Sequence, residues 1–127
     1  MASAKRYQDL VYWQLADKVE TLVLELTETG PAFWDFKFRD QIQDSASSAT
    51  RNMAEGFGRF FPAEHARFLR IAKSSLMETH NSARTGFKKG YTIQRLCARS
   101  GKAANRLIRY LESLTPPSRR RKPPRRT

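Results

Sequence analysis

The sequence predicts an all-α fold, an antiparallel up-down four-helix bundle, and three observations point to it. Four segments repeat apolar residues at the 3.6-residue period of a helix, and almost nothing alternates at the period of a strand. Gly or Pro punctuates the junctions, and the short connectors bring successive helices back antiparallel. With 127 residues, 39% of them apolar, the chain suffices for one core and not for two. Residues 1–114 are expected to form the bundle and 115–127 a basic, Pro/Arg-rich disordered tail.

The first predicted helix runs from about Asp9, read as its N-cap, to Thr29, with Gly30-Pro31 as the stop. Val11, Leu15, Val19, Leu22 and Leu26 share one face and are read as core. Leu10, Trp13 and Leu24 form a second apolar strip among Asp17, Glu20 and Thr21. A monomer gains nothing by leaving that strip wet, so it is expected to be an oligomer interface.

The second helix is expected from about Asp35 to Glu55, with Phe38, Ile42, Ala46, Ala49 and Met53 as a narrow apolar stripe. Gln41, Ser45, Ser48 and Asn52 run beside it. They are either a solvated edge or buried, hydrogen-bonded groups, since burying any one unpaired costs about 1–3 kcal/mol. The third helix should begin near Pro62, a residue suited to a first turn. Phe68, Ala72, Leu76, Thr79 and Ala83, with Leu69 beside them, line its core face, while Arg70, Lys73 and Arg84 lie on another side. F-K-K-G supplies a basic last turn and a stop between Gly86 and Gly90.

The fourth helix, from Thr92 to about Leu114, has the cleanest pattern. Ile93, Leu96, Cys97, Ala104, Leu107, Ile108, Leu111 and Leu114 gather on one side. Arg95, Arg99, Lys102, Arg106 and Arg109 gather opposite, a basic stripe about 21 Å long at 1.5 Å per residue. Most charged helix faces are merely solvated, but those intersperse both signs, and no Asp or Glu occurs between Thr79 and Leu111.

Charge follows the same gradient. Residues 1–64 hold seven Lys/Arg against ten Asp/Glu, 65–114 eleven against two, and 115–127 six against none, together making the formal +12. Nucleic acid, an anionic membrane surface or an acidic protein are the partners such a balance suits. Arg119, Arg120, Arg121, Lys122, Arg125 and Arg126 sit in a tail whose composition cannot repay the entropy of ordering. It is read as a second phosphate-contacting element or a solubilising one.

Catalysis receives little support. His65 and His80 do not share a turn, no Glu-x-x-His pair is present, and no Walker, Rossmann or zinc spacing occurs, so neither metal, cofactor nor catalytic residue is expected. Cys97 lies on an apolar face and reads as packing. One cysteine cannot form an internal disulfide, and with no signal-peptide-like start or bilayer-length apolar run the chain is expected to be cytoplasmic, with no membrane partner.

The connector Asn52-Met53-Ala54-Glu55-Gly56-Phe57-Gly58-Arg59 is the most specific stretch. Together with Trp13-Gln14, Gln41-Ile42, Glu64, Phe68-Leu69, Ile71-Ala72, Ser75-Leu76 and Glu78, it resembles the bacterial four-helix-bundle proteins, the large-subunit rRNA intervening-sequence protein family. The match covers most of residues 7–80. The resemblance implies a four-helix bundle, a ring-like homo-pentamer, no enzymatic activity and a role in binding RNA. The fold is also shared with accessory proteins of diversity-generating retroelements, basic barrels that partner a reverse transcriptase and its RNA.

Phe61 replaces the family's usual Ser, removing the hydroxyl of a capping box, and Ser74 replaces a usual Gly. By its own residues the connector reads as a tight joint. Gly56 is expected to close the second helix in a left-handed conformation, Gly58 to turn the chain again, and Glu55 to cap the third helix or pair with Arg51 or Arg59. The alternative is a ligand site built from Asn52, Glu55 and Arg59. Aromatic residues fall mostly on core faces, so base stacking is not predicted. Three functions stay open: a nucleic-acid-binding module, an oligomeric adaptor for a protein such as a polymerase, and a structural oligomer without cargo.

Overall fold

The structure, a computed structural model, describes residues 4–90 together with Arg109. All regular structure there is helical: a 3-10 turn at Tyr7–Asp9, then α1 (Val11–Glu28), α2 (Gly30–Trp34), α3 (Phe36–Phe57) and α4 (Pro62–Lys88). The predicted fourth helix lies outside the described residues except for Arg109, which is helical and exposed. Among the described residues no helix is long and apolar enough to cross a membrane.

Asp9 is not the cap of α1. It ends the 3-10 turn, with its carboxylate 3.2 Å from Arg6, and the helix starts two residues later behind Leu10, which offers no capping side chain. The buried face is rotated accordingly. Tyr12, Ala16, Val19, Val23 and Leu26 are core at helical spacing, with Leu22 beside them, whereas Val11 is exposed and Leu15 packs at the edge. Tyr12 takes the inward position, and its hydroxyl lies 3.4 Å from His65 Nε2 on α4.

The end of α1 follows its punctuation. Thr29 is extended and Gly30 takes φ 73°, the left-handed region where glycine is favoured. The chain then makes one further short helix, α2, with Pro31 in its first turn and Ala32 buried. Asp35 ends α2 through its N–H to the Pro31 carbonyl and opens α3 by accepting from the Phe38 N–H at 3.2 Å.

α3 is the central element, packed against both α1 and α4. Gln43 donates to Thr27 and Thr50 to Glu20, so α3 and α1 run antiparallel. On its other side Asp35 meets Lys89, Ser45 meets Thr79, Ser48 meets Ser75 and Gly56 faces Phe68, which sets α3 and α4 antiparallel too. Ser45, Ala46, Ala49 and Gly56 are small and buried, permitting both neighbours to approach closely.

The polar stripe of α3 is part of this packing and not a solvated edge, Gln41 excepted. Ser45 and Thr79 are both buried with hydroxyls 2.8 Å apart, and Ser48 and Ser75 hydroxyls are likewise 2.8 Å apart. Ser45 donates to the Ile42 carbonyl and Ser75 to the Ile71 carbonyl, while Asn52 donates to the Ser48 carbonyl at 2.8 Å. Each hydroxyl has a partner, so the stripe escapes the cost of burial unpaired. At the far end α4 closes as predicted: Lys89 N–H reaches the Thr85 carbonyl, and Gly90 takes φ 68°.

Candidate nucleic-acid interface

Cations can form a phosphate-binding surface only where they are exposed, aligned and free of carboxylates. Of the predicted stripe and tail, Arg95, Arg99, Lys102 and Arg106, and Arg119 to Lys122 with Arg125 and Arg126, lie outside the described residues, while Arg109 is exposed. α4 presents a second row of exposed cations. Its inner face buries Ala72, Ser75, Leu76, Thr79, Ala83 and Gly86. Its outer face exposes Arg70, Ser74, Met77, Asn81, Arg84 and Lys88, spaced alternately by four and three residues so that all fall in one stripe about 27 Å long. Among the described residues no carboxylate lies within ion-pair distance of Arg70, Arg84 or Lys88. The spacing was visible in the sequence as Arg70, Lys73 and Arg84 on one side of the helix. Its exposure depended on which face α3 would cover.

The connector motif does structural work, and the structure corrects its expected details. α3 does not stop at Gly56 but continues through Phe57, and Gly56 is a buried helical residue without positive φ. A Cβ there would stand 2.8 Å from Phe68 Cβ, so its glycine serves close helix approach. Gly58 caps the helix in the right-handed region, its N–H shared between the Ala54 and Glu55 carbonyls. Glu55 does not cap α4, whose start at Phe61 has no side-chain acceptor; its carboxylate instead accepts from Arg59 at 2.9 Å. Arg59 also lies over the Phe68 ring at 5.0 Å.

His65 completes the joint in a way the sequence did not signal. Its Nδ1 is 2.9 Å from the Gly56 carbonyl, which can only accept, so Nδ1 carries the proton and Nε2 faces the Tyr12 hydroxyl as acceptor. Gly56, through His65 and Phe68, and Arg59, over the Phe68 ring, tie the end of α3 to the start of α4, while Glu55 holds Arg59, Gly58 closes α3 and Asn52 turns back onto Ser48.

Two further sites differ from expectation. Leu10, Trp13 and Leu24 do not share one exposed strip. Leu24 is exposed, while Leu10 and Trp13 are half-buried against the core, Trp13 meeting Tyr7 edge to face at 5.2 Å. Nor are the aromatics confined to core faces: Trp34, Phe36, Phe60 and Phe61 are exposed. Beside the first two, Arg39 lies between the rings of Phe33 and Phe36, at 5.1 and 4.8 Å. An open groove of about 450 Å³ adjoins them, lined by Leu24, Glu28, Phe33, Arg39 and Asp40 among others.

The connector and both helices that it joins fall within a match to a family. The family model of the 23S rRNA-intervening sequence protein matches residues 8–113. The chain belongs to this family. In structure, the chain is similar to a protein of unknown function from the S23 ribosomal protein family of Bacteroides thetaiotaomicron. The two share 18% identity and a TM-score of 0.67, over 81% of this chain and 93% of the other, a likeness of fold. No curated protein sequence matches the chain.

Proposed function

We propose that this protein is a non-enzymatic, cytoplasmic bundle protein that binds RNA through a basic surface. The observation that carries the reading is the outer face of α4, where Arg70, Arg84 and Lys88 are exposed along one line without carboxylate partners among the described residues. The formal charge of +12 and the rRNA connection in the family's description support it. The sequence supplies further cations at Arg95, Arg99, Lys102, Arg106 and Arg109 and in the tail from Arg119 to Arg126. Self-association, as the ring of five that the resemblance implies, would repeat the stripe around one axis and multiply its effective strength.

Salt dependence tests this. If about five cations meet single-stranded RNA, log K falls against log salt with a slope near −3.5. A slope near zero would remove phosphate contact from the account.

A protein-adaptor role, such as an accessory subunit of a reverse transcriptase, is the second reading, favoured by the exposed Trp34 and Phe36 beside a groove containing Glu28 and Asp40. Capture of a polymerase that survives nuclease treatment would favour it over RNA binding.

A further inference from the structure

Phe60 and Phe61 stand on the connector between α3 and α4, 91% and 61% exposed. Their rings meet edge to face, with centroids 5.4 Å apart and planes at 88°, so the contact leaves ring faces open to a flat partner. The joint itself does not use them, because it is held by Gly56, His65, Arg59 and Glu55.

Charge distinguishes this pair from the other exposed aromatic site. Along residues 55–78 the chain places Arg59, Arg67, Arg70 and Lys73 against Glu55, Glu64 and Glu78, with Glu55 paired to Arg59 at 2.9 Å; the balance stays positive, Arg67 and Arg70 are exposed, and Arg70 begins the stripe of α4. Around Trp34, by contrast, Arg39 already occupies faces of Phe33 and Phe36, and Glu28 and Asp40 line the adjoining groove. A polyanion is attracted to the first site and repelled by those carboxylates at the second.

We infer that Phe60 and Phe61 form a stacking platform for unpaired bases of single-stranded RNA whose backbone follows the α4 stripe, an inference that rests on the RNA-binding reading. Every base has a π-face, so such a platform tolerates any sequence. A duplex keeps those faces inside its own stack, so the platform selects unpaired segments over helical ones.

The test uses the full-length protein, a fluorescent single-stranded oligoadenylate, and a perfectly paired RNA duplex of equal length. The Phe60→Leu/Phe61→Leu variant keeps apolar bulk and loses the aromatic faces. It should bind the single strand about tenfold or more weaker, with an unchanged salt slope because no charge is removed. Duplex affinity should not move, and Trp34→Ala should bind like the parent. Equal losses on single strand and duplex would overturn the inference, as would full retention of single-strand affinity while the parent binds normally. Failure of the parent to bind either RNA would remove the RNA-binding reading and the platform together. A change of sedimenting mass in the double variant without a change in RNA affinity would assign the pair to self-association instead.

Discussion

The Cβ that Gly56 lacks would stand 2.8 Å from the Cβ of Phe68 on the facing helix. That atom is fixed to the α4 backbone and cannot swing aside. Alanine at position 56 gains about 1 kcal/mol of helix propensity but overpacks the interface at a cost of about 1–3 kcal/mol. Gly56→Ala should therefore lower stability by up to about 2 kcal/mol, read as a lower urea midpoint with an unchanged slope. Gly58→Ala is the contrast: the nearest atom is 3.5 Å away and φ is −75°, so it should be neutral or slightly stabilising. Equal effects at both positions would refute the close-approach role of Gly56.

The hydroxyls between α3 and α4 should behave as coupled pairs. Thr79→Val keeps shape while removing the group beside the buried Ser45 hydroxyl, and should cost about 1 kcal/mol. Ser45→Ala should cost a similar amount. Because the two share one contact, the double variant should lose less than the sum, with a coupling of about 0.5–1 kcal/mol in a double-mutant cycle. Strict additivity would mean that the 2.8 Å contact contributes nothing.

Asp35 combines two roles that substitution can separate. Its Oδ1 caps α3 at the Phe38 N–H, and its Oδ2 pairs with Lys89 at 2.6 Å. Asp35→Asn retains a capping oxygen and loses the charge, which at a half-exposed lysine should cost less than about 1 kcal/mol. Asp35→Ala loses the cap as well and should cost about 1 kcal/mol more. Thermal melts of both variants decide the split, and identical melting temperatures would exclude a capping contribution.

Neutralising the α4 stripe should affect RNA binding far more than folding. Arg70→Gln, Arg84→Gln and Lys88→Gln together remove three cations, and the salt slope on single-stranded RNA should flatten by about 2. Exposed substitutions of this kind change stability by about 0.5 kcal/mol or less each. An unchanged slope in the folded triple variant would place the contacts elsewhere, on the Arg95 to Arg109 stripe or the tail.

Element existence was legible where the signal was local. The α3 start near Asp35, the break at Gly30 and the stop at Gly90 each depend on backbone requirements met within a few residues. The cap assigned to Asp9 failed because Asp9 ends a 3-10 turn and the helix starts two residues later, and the α1 core face differs at its start, where Tyr12 and not Val11 is buried. The motif was recognisable as a family mark, but Gly56 was misread as a left-handed stop. A glycine ending a helix and a glycine admitting a neighbour look alike in sequence.

The sequence by itself determined an all-helical chain, its main breaks, its C-terminal charge excess and its family. Only the tertiary structure decided that Ser45, Ser48 and Asn52 are satisfied within the packed α3–α4 interface, that Arg70, Arg84 and Lys88 are exposed in one line with no carboxylate in ion-pair distance among the described residues, and that Phe60 and Phe61 face solvent. The reason is range. Periodicity and caps act within one or two turns, whereas Ser45 finds Thr79 across 34 residues, and burial depends on a partner that no local pattern specifies.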